Sequence, residues 1–326
     1  MNTDFGETQN VAITVLVDKK ADLIVESTDT VKYFTDAPLL AEHGFATLLD
    51  LKAANVRILW DAGVTSIALM ENIKRMKIDP ATIHKIGLSH GHWDHTTGVT
   101  DVLKAMDLSP KPRKWERSAT PEEIRVWTQE RRVPVITHSA AFRERWSTPE
   151  DGTKYGPVLP PPRAEWEAVG AEIVLSEGPY QLAPGCWMTG PIPRRSFERS
   201  GVSAAAAYRD GDAFVRDSIE DDQAIVVNVK DKGLIVLSGC AHSGIVNTIN
   251  YAREISDVER VWAIIGGFHL AKAKDDEIER TSAEIKECKP KLIVPSHCTG
   301  FRALWQLAAD MPGEFALGLV GATYLF

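Results

Sequence analysis

The 326-residue chain is poor in several features that would settle its class at once. It has four cysteines, Cys186, Cys240, Cys288 and Cys298, and no CxxC pair, which excludes a zinc ribbon or a thioredoxin-type redox motif. Cysteines this sparse and irregular fit a reducing compartment better than a disulfide scaffold. The opening MNTDFGETQN lacks the basic start, apolar run and small-residue cleavage site of a secretion signal, so the cytoplasm is the expected location. No uninterrupted apolar stretch reaches the roughly 18 residues of a membrane span. Positive charge is also in deficit: 37 Lys and Arg against 45 Asp and Glu give −8, the wrong balance for a typical nucleic-acid binder. The remaining composition, 44% hydrophobic and 25% charged, is that of a globular chain, long enough to bury a core with no metal or disulfide to staple it. A small-molecule substrate is the expected partner, with neither nucleic acid nor membrane, and a homo-oligomer is left open.

Apolar periodicity places the elements. Val11–Val17 reads as an opening strand, and residues 44–51 and Val56–Trp60 read as two more, joined by a polar link at 52–55. Residues 67–76 have helical spacing. Asp79-Pro80 has the form of an N-cap followed by proline at the first helical position. Residues 83–88 form a compact strand that runs straight into a histidine cluster. Residues 107–165 differ in character, rich in Pro, Arg and Trp (Pro110, Pro112, Trp115, Trp127, Trp146), with a strand pattern only at 133–138. They are read as a lid or a long surface excursion within one domain spanning 1–326. The second half repeats the style of the first. Ala224–Val229 and 234–237 are predicted strands around the turn 230–233, 245–255 is a helix, 261–265 and 292–294 are strands, and 277–288 is a helix. Two halves of hairpins followed by βα units predict an α/β sandwich of two mixed sheets with helices outside.

The strongest signal is Leu88-Ser89-His90-Gly91-His92-Trp93-Asp94-His95-Thr96-Thr97-Gly98, which holds three of the nine histidines within six residues. Imidazole and carboxylate are zinc's usual nitrogen and oxygen ligands. In an extended segment, positions two apart face the same way, so His90 and His92 can grip one ion. The chain then turns, and Asp94 with His95 can face a second. Gly91 lets the backbone pass close by.

This pattern resembles the metallo-β-lactamase superfamily of dinuclear hydrolases. Within it, the chain is similar to the ribofuranosylaminobenzene phosphate synthase-like branch. The residues that carry the closer likeness are Glu42-His43-Gly44-Phe45, Leu59-Trp60-Asp61-Ala62-Gly63, the histidine cluster, Gly190-Pro191-Ile192-Pro193-Arg194, Asp221-Asp222-Gln223-Ala224, Ser238-Gly239-Cys240-Ala241-His242-Ser243-Gly244, Gly266-Gly267-Phe268-His269-Leu270 and Ser296-His297-Cys298-Thr299-Gly300. The resemblance implies an αββα sandwich and two divalent ions, zinc first, with manganese or iron as alternatives. It also implies that His297 is the last histidine ligand. Many members place a bridging aspartate after a Ser-Gly; this chain has Cys240 there and His242 two residues on, so either can serve as a ligand. The region that usually supplies a further histidine reads Asp221-Asp222, and Asp222 is either a ligand, an orienting partner of one, or part of a solvated acidic turn.

On this reading Asp94 ligates an ion and accepts a proton from the attacking water. His269, after a strand and the flexible pair Gly266-Gly267, contacts substrate or donates a proton. Arg194 and Arg195 suit an anionic substrate group. His43 is either a weaker substrate contact or a satisfied core histidine. The leading expectation is a hydrolase of esters, lactones or phosphoesters. The branch name suggests instead a transferase joining a ribosyl phosphate donor to an aromatic amine. A di-iron redox protein and a non-catalytic metal-holding module are the remaining classes. The first of these usually needs a fused flavin domain, for which no room remains.

Overall fold

The computed structural model describes residues 5–108, 117–128 and 131–326. Its layers arise from side chains that alternate across each strand. In Ala224–Val229, Ile225 and Val227 join one apolar cluster while Val226 joins another on the opposite face. An eight-stranded sheet runs in the order Val31–Tyr33, Ala322–Leu325, Val11–Val17, Ala46–Leu51, Val56–Trp60, Lys85–Gly87, Val133–Thr137 and Ala171–Leu175. A six-stranded sheet runs Tyr180–Ala183, Cys186–Met188, Ala224–Val229, Gly233–Ser238, Val261–Gly267 and Leu292–Ser296. Each begins antiparallel and ends parallel.

Ile13, Leu49, Ile58 and Trp60 of the first sheet meet Ile225, Ile235, Leu237 and Val294 of the second in the central layer. On the outer face of the first sheet, Leu48, Leu59 and Ile86 pack under Leu69 and Ile73 of the helix Ser66–Arg75 and under Leu103 and Trp166. On the outer face of the second, Val236, Ile264 and Ile293 pack under the helices Ile245–Ser256, Asp275–Glu287 and Phe301–Asp310. Each fully buried aliphatic side chain contributes roughly 1.5–3 kcal/mol, so three continuous layers supply the driving force without staples. The predicted sandwich of two mixed sheets between helices is therefore the observed one.

Local chemistry explains the boundaries. The predicted 52–55 link closes as a 3-10 turn, Lys52–Ala54, with Asn55 left-handed at φ 52°. The Asp79 carboxylate accepts from Ala81 N at 2.9 Å, with Pro80 next, but the cap starts only a 3-10 turn, Pro80–Thr82, rather than a full helix. In the segment 107–165 the structure differs from the expectation of a single strand. Val133–Thr137 is an interior member of the eight-stranded sheet. Arg145–Ser147 and Tyr155–Val158 join Ala206–Asp210 and Ala213–Arg216 in a third, four-stranded sheet. These strands are too short to show alternation, and the sheet forms through the distant pairing of Arg145–Ser147 with Ala206–Asp210. Pro110, Pro112 and Trp115 lie outside the described residues, as does the side chain of Trp127.

Candidate metal centre

Parallel strands of both sheets end at one place, and the residues just beyond those ends build the site. Asp61 comes after Val56–Trp60, the histidine cluster after Lys85–Gly87, Cys240 and His242 after Gly233–Ser238, His269 after Val261–Gly267, and His297 after Leu292–Ser296. The chain turns sharply at these ends: Asp61, Ala241, His269 and His297 take φ values of 59°, 55°, 48° and 48°, a conformation rare outside glycine that surrounding packing must enforce. Gly91 has no room for a side chain, since a Cβ there would lie 2.0 Å from Ala141 O. Gly266-Gly267, read from the sequence as flexible, instead continues the strand, and a Cβ on Gly267 would lie 2.5 Å from Gly239 O. Close packing, not mobility, is the reason for glycine there.

The first cluster is His90, His92 and His242. His242 Nδ1 lies 2.5 Å from Gly201 O, and a carbonyl only accepts, so Nδ1 carries the proton and Nε2 the lone pair. Ser89 Oγ donates to Asp61 Oδ2 at 2.7 Å and accepts from His90 Nδ1 at 2.8 Å, which leaves a lone pair on His90 Nε2 as well. These two lone pairs face each other at 3.2 Å, with His92 Nδ1 2.9 Å from His90 Nε2. Two acceptors converging in this way call for a cation between them. Burial, then neighbouring positive groups, pushes His90 and His242 well below the usual imidazole range, and burial with Arg145 lowers His92 to about 4. All three are therefore neutral near pH 7, the form a metal requires.

The second cluster is Asp94, His95, His297 and Cys240, with donor atoms within 4.8 Å of one another. Burial alone would raise the Asp94 carboxyl, but His95 and His297 outweigh it and hold it well below the carboxylate range. Burial likewise opposes a charge on His95, yet Asp61 and Asp94 raise it to about 9. His95 Nδ1 donates to Asp61 Oδ2 at 2.7 Å, and its Nε2 faces Cys240 Sγ at 3.1 Å. A carboxylate behind the imidazole fixes its tautomer and orientation for a metal in front. His297 is buried, Nε2 is 3.4 Å from Asp94 Oδ2, and neither ring nitrogen makes a hydrogen bond among the described residues. Cys240 also groups with His242 and His269, so its sulfur stands on the wall between the two clusters. The donor set of imidazole, carboxylate and thiolate fits zinc-type ions.

The other candidate residues fall around these clusters. His43 is half-exposed, with Nε2 3.2 Å from Asp94 Oδ2, and so is not a core histidine. His269 stacks on His242 at 4.2 Å between ring centroids, and its buried Nδ1 has no hydrogen-bond partner among the described residues. Burial opposes charge on His269, but Cys298 and Asp222 raise its basicity. Asp222 belongs to none of the donor clusters among the described residues; it accepts from Ser243 N at 2.7 Å, and burial raises its carboxyl to about 6. Arg194 donates to the carbonyls of His242 and Ser218, so its guanidinium braces the loop that carries a cluster histidine. It also lines a cavity of about 270 Å³ beside His242, together with Arg199, Arg216, Ser200, Ser243 and Phe268. Arg195 instead pairs with Glu254 on the surface.

Three contributors lie outside the candidate site residues read from the sequence. Asp61 is the acceptor behind His95, the Asp18 carboxylate accepts from His297 N at 3.0 Å, and Arg145 donates to Asp221 beside the histidine cluster. Asp61 stands at the end of a predicted strand and within Leu59-Trp60-Asp61-Ala62-Gly63, one of the segments that carry the family likeness, and these are the clues to it.

A dinuclear-type donor set at the mouth of an αββα sandwich is the hallmark of one class of protein, and the family comparison agrees. The metallo-beta-lactamase superfamily model matches residues 41–297, and the chain belongs to that superfamily. Among its relatives, it is 29% identical over 288 residues to the 7,8-dihydropterin-6-methyl-4-(beta-D-ribofuranosyl)-aminobenzene-5'-phosphate synthase of Methanocaldococcus jannaschii, covering 84% of this chain and 90% of the relative. An uncharacterized protein of the same organism, MJ0448, is 29% identical over 299 residues, covering 92% and 97%. Among solved structures, Tm1679, a metal-dependent hydrolase of the beta-lactamase superfamily, superposes with a TM-score of 0.70 at 23% identity, covering 96% of this chain and 98% of that one.

Proposed function

We propose that this protein is a metal-dependent enzyme that holds two divalent ions, zinc first among them, and hydrolyses an ester, lactone or phosphoester of a small anionic molecule. The observation that carries the reading is the pair of donor clusters, three imidazoles on one side and Asp94, His95, His297 and Cys240 on the other, with His242 of the first lining the arginine-rich cavity. Two ions bound there would lower the pKa of a shared water and polarise the substrate oxygen.

The chain's own groups supply the rest. Asp94 Oδ2, kept ionised by His95 and His297, accepts the proton that the attacking water loses, and His43 Nε2 at 3.2 Å can carry it to solvent. His269 Nδ1, unpartnered among the described residues and with raised basicity, offers a proton to the leaving group. Arg216 and Arg199, the latter paired with Asp276, line the cavity together with Glu198 and offer guanidinium groups to a phosphate or carboxylate, while Arg194 shapes it through the His242 carbonyl.

A second reading has its own support. The likeness to the methanogen synthase spans most of both chains, and an arginine-lined cavity suits a ribosyl phosphate as well as a phosphoester. Reconstituting the purified protein with zinc and assaying p-nitrophenyl phosphodiesters, carboxyl esters and lactones tests the hydrolase. Incubation with pyrophosphorylated ribose and p-aminobenzoate, with pyrophosphate release as the readout, tests the transferase. Turnover of only the second pair replaces the first reading by the second.

A further inference from the structure

We infer that Arg145 is a positioning residue for the three-imidazole cluster, through which the four-stranded sheet sets the geometry of the centre; the inference rests on reading that cluster as a metal site. Arg145 sits in the strand Arg145–Ser147, and its side chain is buried between two buried carboxylates. Its Nε donates to Asp217 Oδ2 at 2.9 Å, and its Nη2 to Asp221 Oδ1 at 2.6 Å. The remaining guanidinium protons reach Ala140 O at 3.3 Å and Ala141 O at 3.4 Å.

The far side of Asp221 gives the network its meaning. The second oxygen of that carboxylate accepts from Gly91 N at 2.7 Å, and Gly91 is the residue between His90 and His92. The Ala141 carbonyl that Arg145 holds is the same group that leaves no space for a Cβ on Gly91. One planar fork thus fixes both walls around the peptide joining two ligand histidines: the Asp221 carboxylate in its plane, and the 140–141 backbone against its α-carbon. A lysine ammonium is a single point and cannot span two carboxylates and two carbonyls in this fixed geometry. Arg145 hydrogen-bonds to no donor atom of the cluster, and Arg145→Lys keeps its charge, so that variant reads its placement rather than its field on His92. Partners in this outer position are typically worth roughly 10–100-fold in metal affinity.

The test uses the full chain, stripped and titrated with zinc against a competing chelator. The wild type is expected to bind two ions, and His92→Ala identifies which of the two affinities belongs to the three-imidazole cluster. In Arg145→Lys that affinity is expected to fall roughly 10–100-fold, while the affinity of the Asp94 cluster stays at the wild-type value. Asp217→Asn, which leaves the Asp221 contact in place, is expected to lose less at the same cluster, and it decides the matter if Arg145→Lys does not fold. A folded variant that binds both ions as tightly as wild type, or that loses both affinities equally, overturns the positioning role. A wild type that binds no ion refutes the metal reading itself, and this inference with it.

Discussion

Replacing Asp61 by asparagine removes an acceptor that serves two site residues at once. Asp61 Oδ2 takes protons from His95 Nδ1 and Ser89 Oγ, both at 2.7 Å, and Oδ1 takes one from Ser89 N, also at 2.7 Å. Every partner is buried, so none of these bonds is replaced by water. Burial alone would lower His95, but Asp61, with Asp94, brings it to about 9, above the 6.5 of a free imidazole. In the metal-free protein this proton stabilises the fold fully below pH 6.5, and the stabilisation is lost as pH rises through 9. The gap corresponds to about 3 kcal/mol of pH-dependent stability. The measurement is urea unfolding of metal-stripped wild type and Asp61→Asn at pH 6 and pH 10. Other groups that titrate in this window, His269 among them, cancel in the difference between the two proteins. Asp94 still raises His95 in the variant, so wild type is expected to lose more stability than the variant across the interval, with the about 3 kcal/mol of the whole shift shared between Asp61 and Asp94. Identical pH slopes would show that Asp61 does not hold a proton on His95 and would remove the basis for the Asp61–His95–metal arrangement.

The same geometry carries further outcomes. His92→Ala is expected to abolish turnover and drop bound metal, with circular dichroism unchanged; wild-type turnover in a metal-stripped variant would show that the centre is wrongly placed. Because His92 is held near 4 against 6.5 in a free chain, acid favours the unfolded state. Stability of the metal-free protein should therefore fall by about 3 kcal/mol from this residue as pH drops from 6.5 to 4, read by denaturant midpoints. With cobalt in place of zinc, Cys240→Ser should lose a sulfur-to-metal charge-transfer band in the near ultraviolet; retention of the band would place Cys240 outside the coordination sphere.

Much of the site is legible in the sequence because the information is local. His90, His92, Asp94 and His95 lie within six residues; alternation pairs His90 with His92, and the turn that begins after His92 sends Asp94 and His95 to the second group. His242, His269 and His297 are readable as residues just past apolar strands, since strand ends converge in a sandwich of this kind. Arg145 is not readable. Its partners Asp217 and Asp221 are more than 70 positions away, at separations of 72 and 76, and the strand that carries it has three residues, too few to alternate. Arg194 carries a part that its motif does not show. Its motif suggests substrate, and in the fold it lines the cavity while its guanidinium also donates to the backbone carbonyls of His242 and Ser218. The lack of a histidine nearby makes Asp222 a candidate ligand; in the fold it stands outside the donor clusters among the described residues, with Oδ2 taken by Ser243 N and Oδ1 buried without a partner.

Donors from both sheets meet at the centre, and this has a consequence for how the protein matures. During synthesis the histidine pair at 90 and 92 emerges early, but its cluster waits for His242, and the neighbouring one waits for His297, close to the last strand. A nascent or truncated chain that stops short of the second sheet holds two of the three members of one nest and two of the four of the other. On the proposed metal reading, metal content per chain is therefore expected to rise only once the second sheet has folded, and would serve as a readout of complete folding.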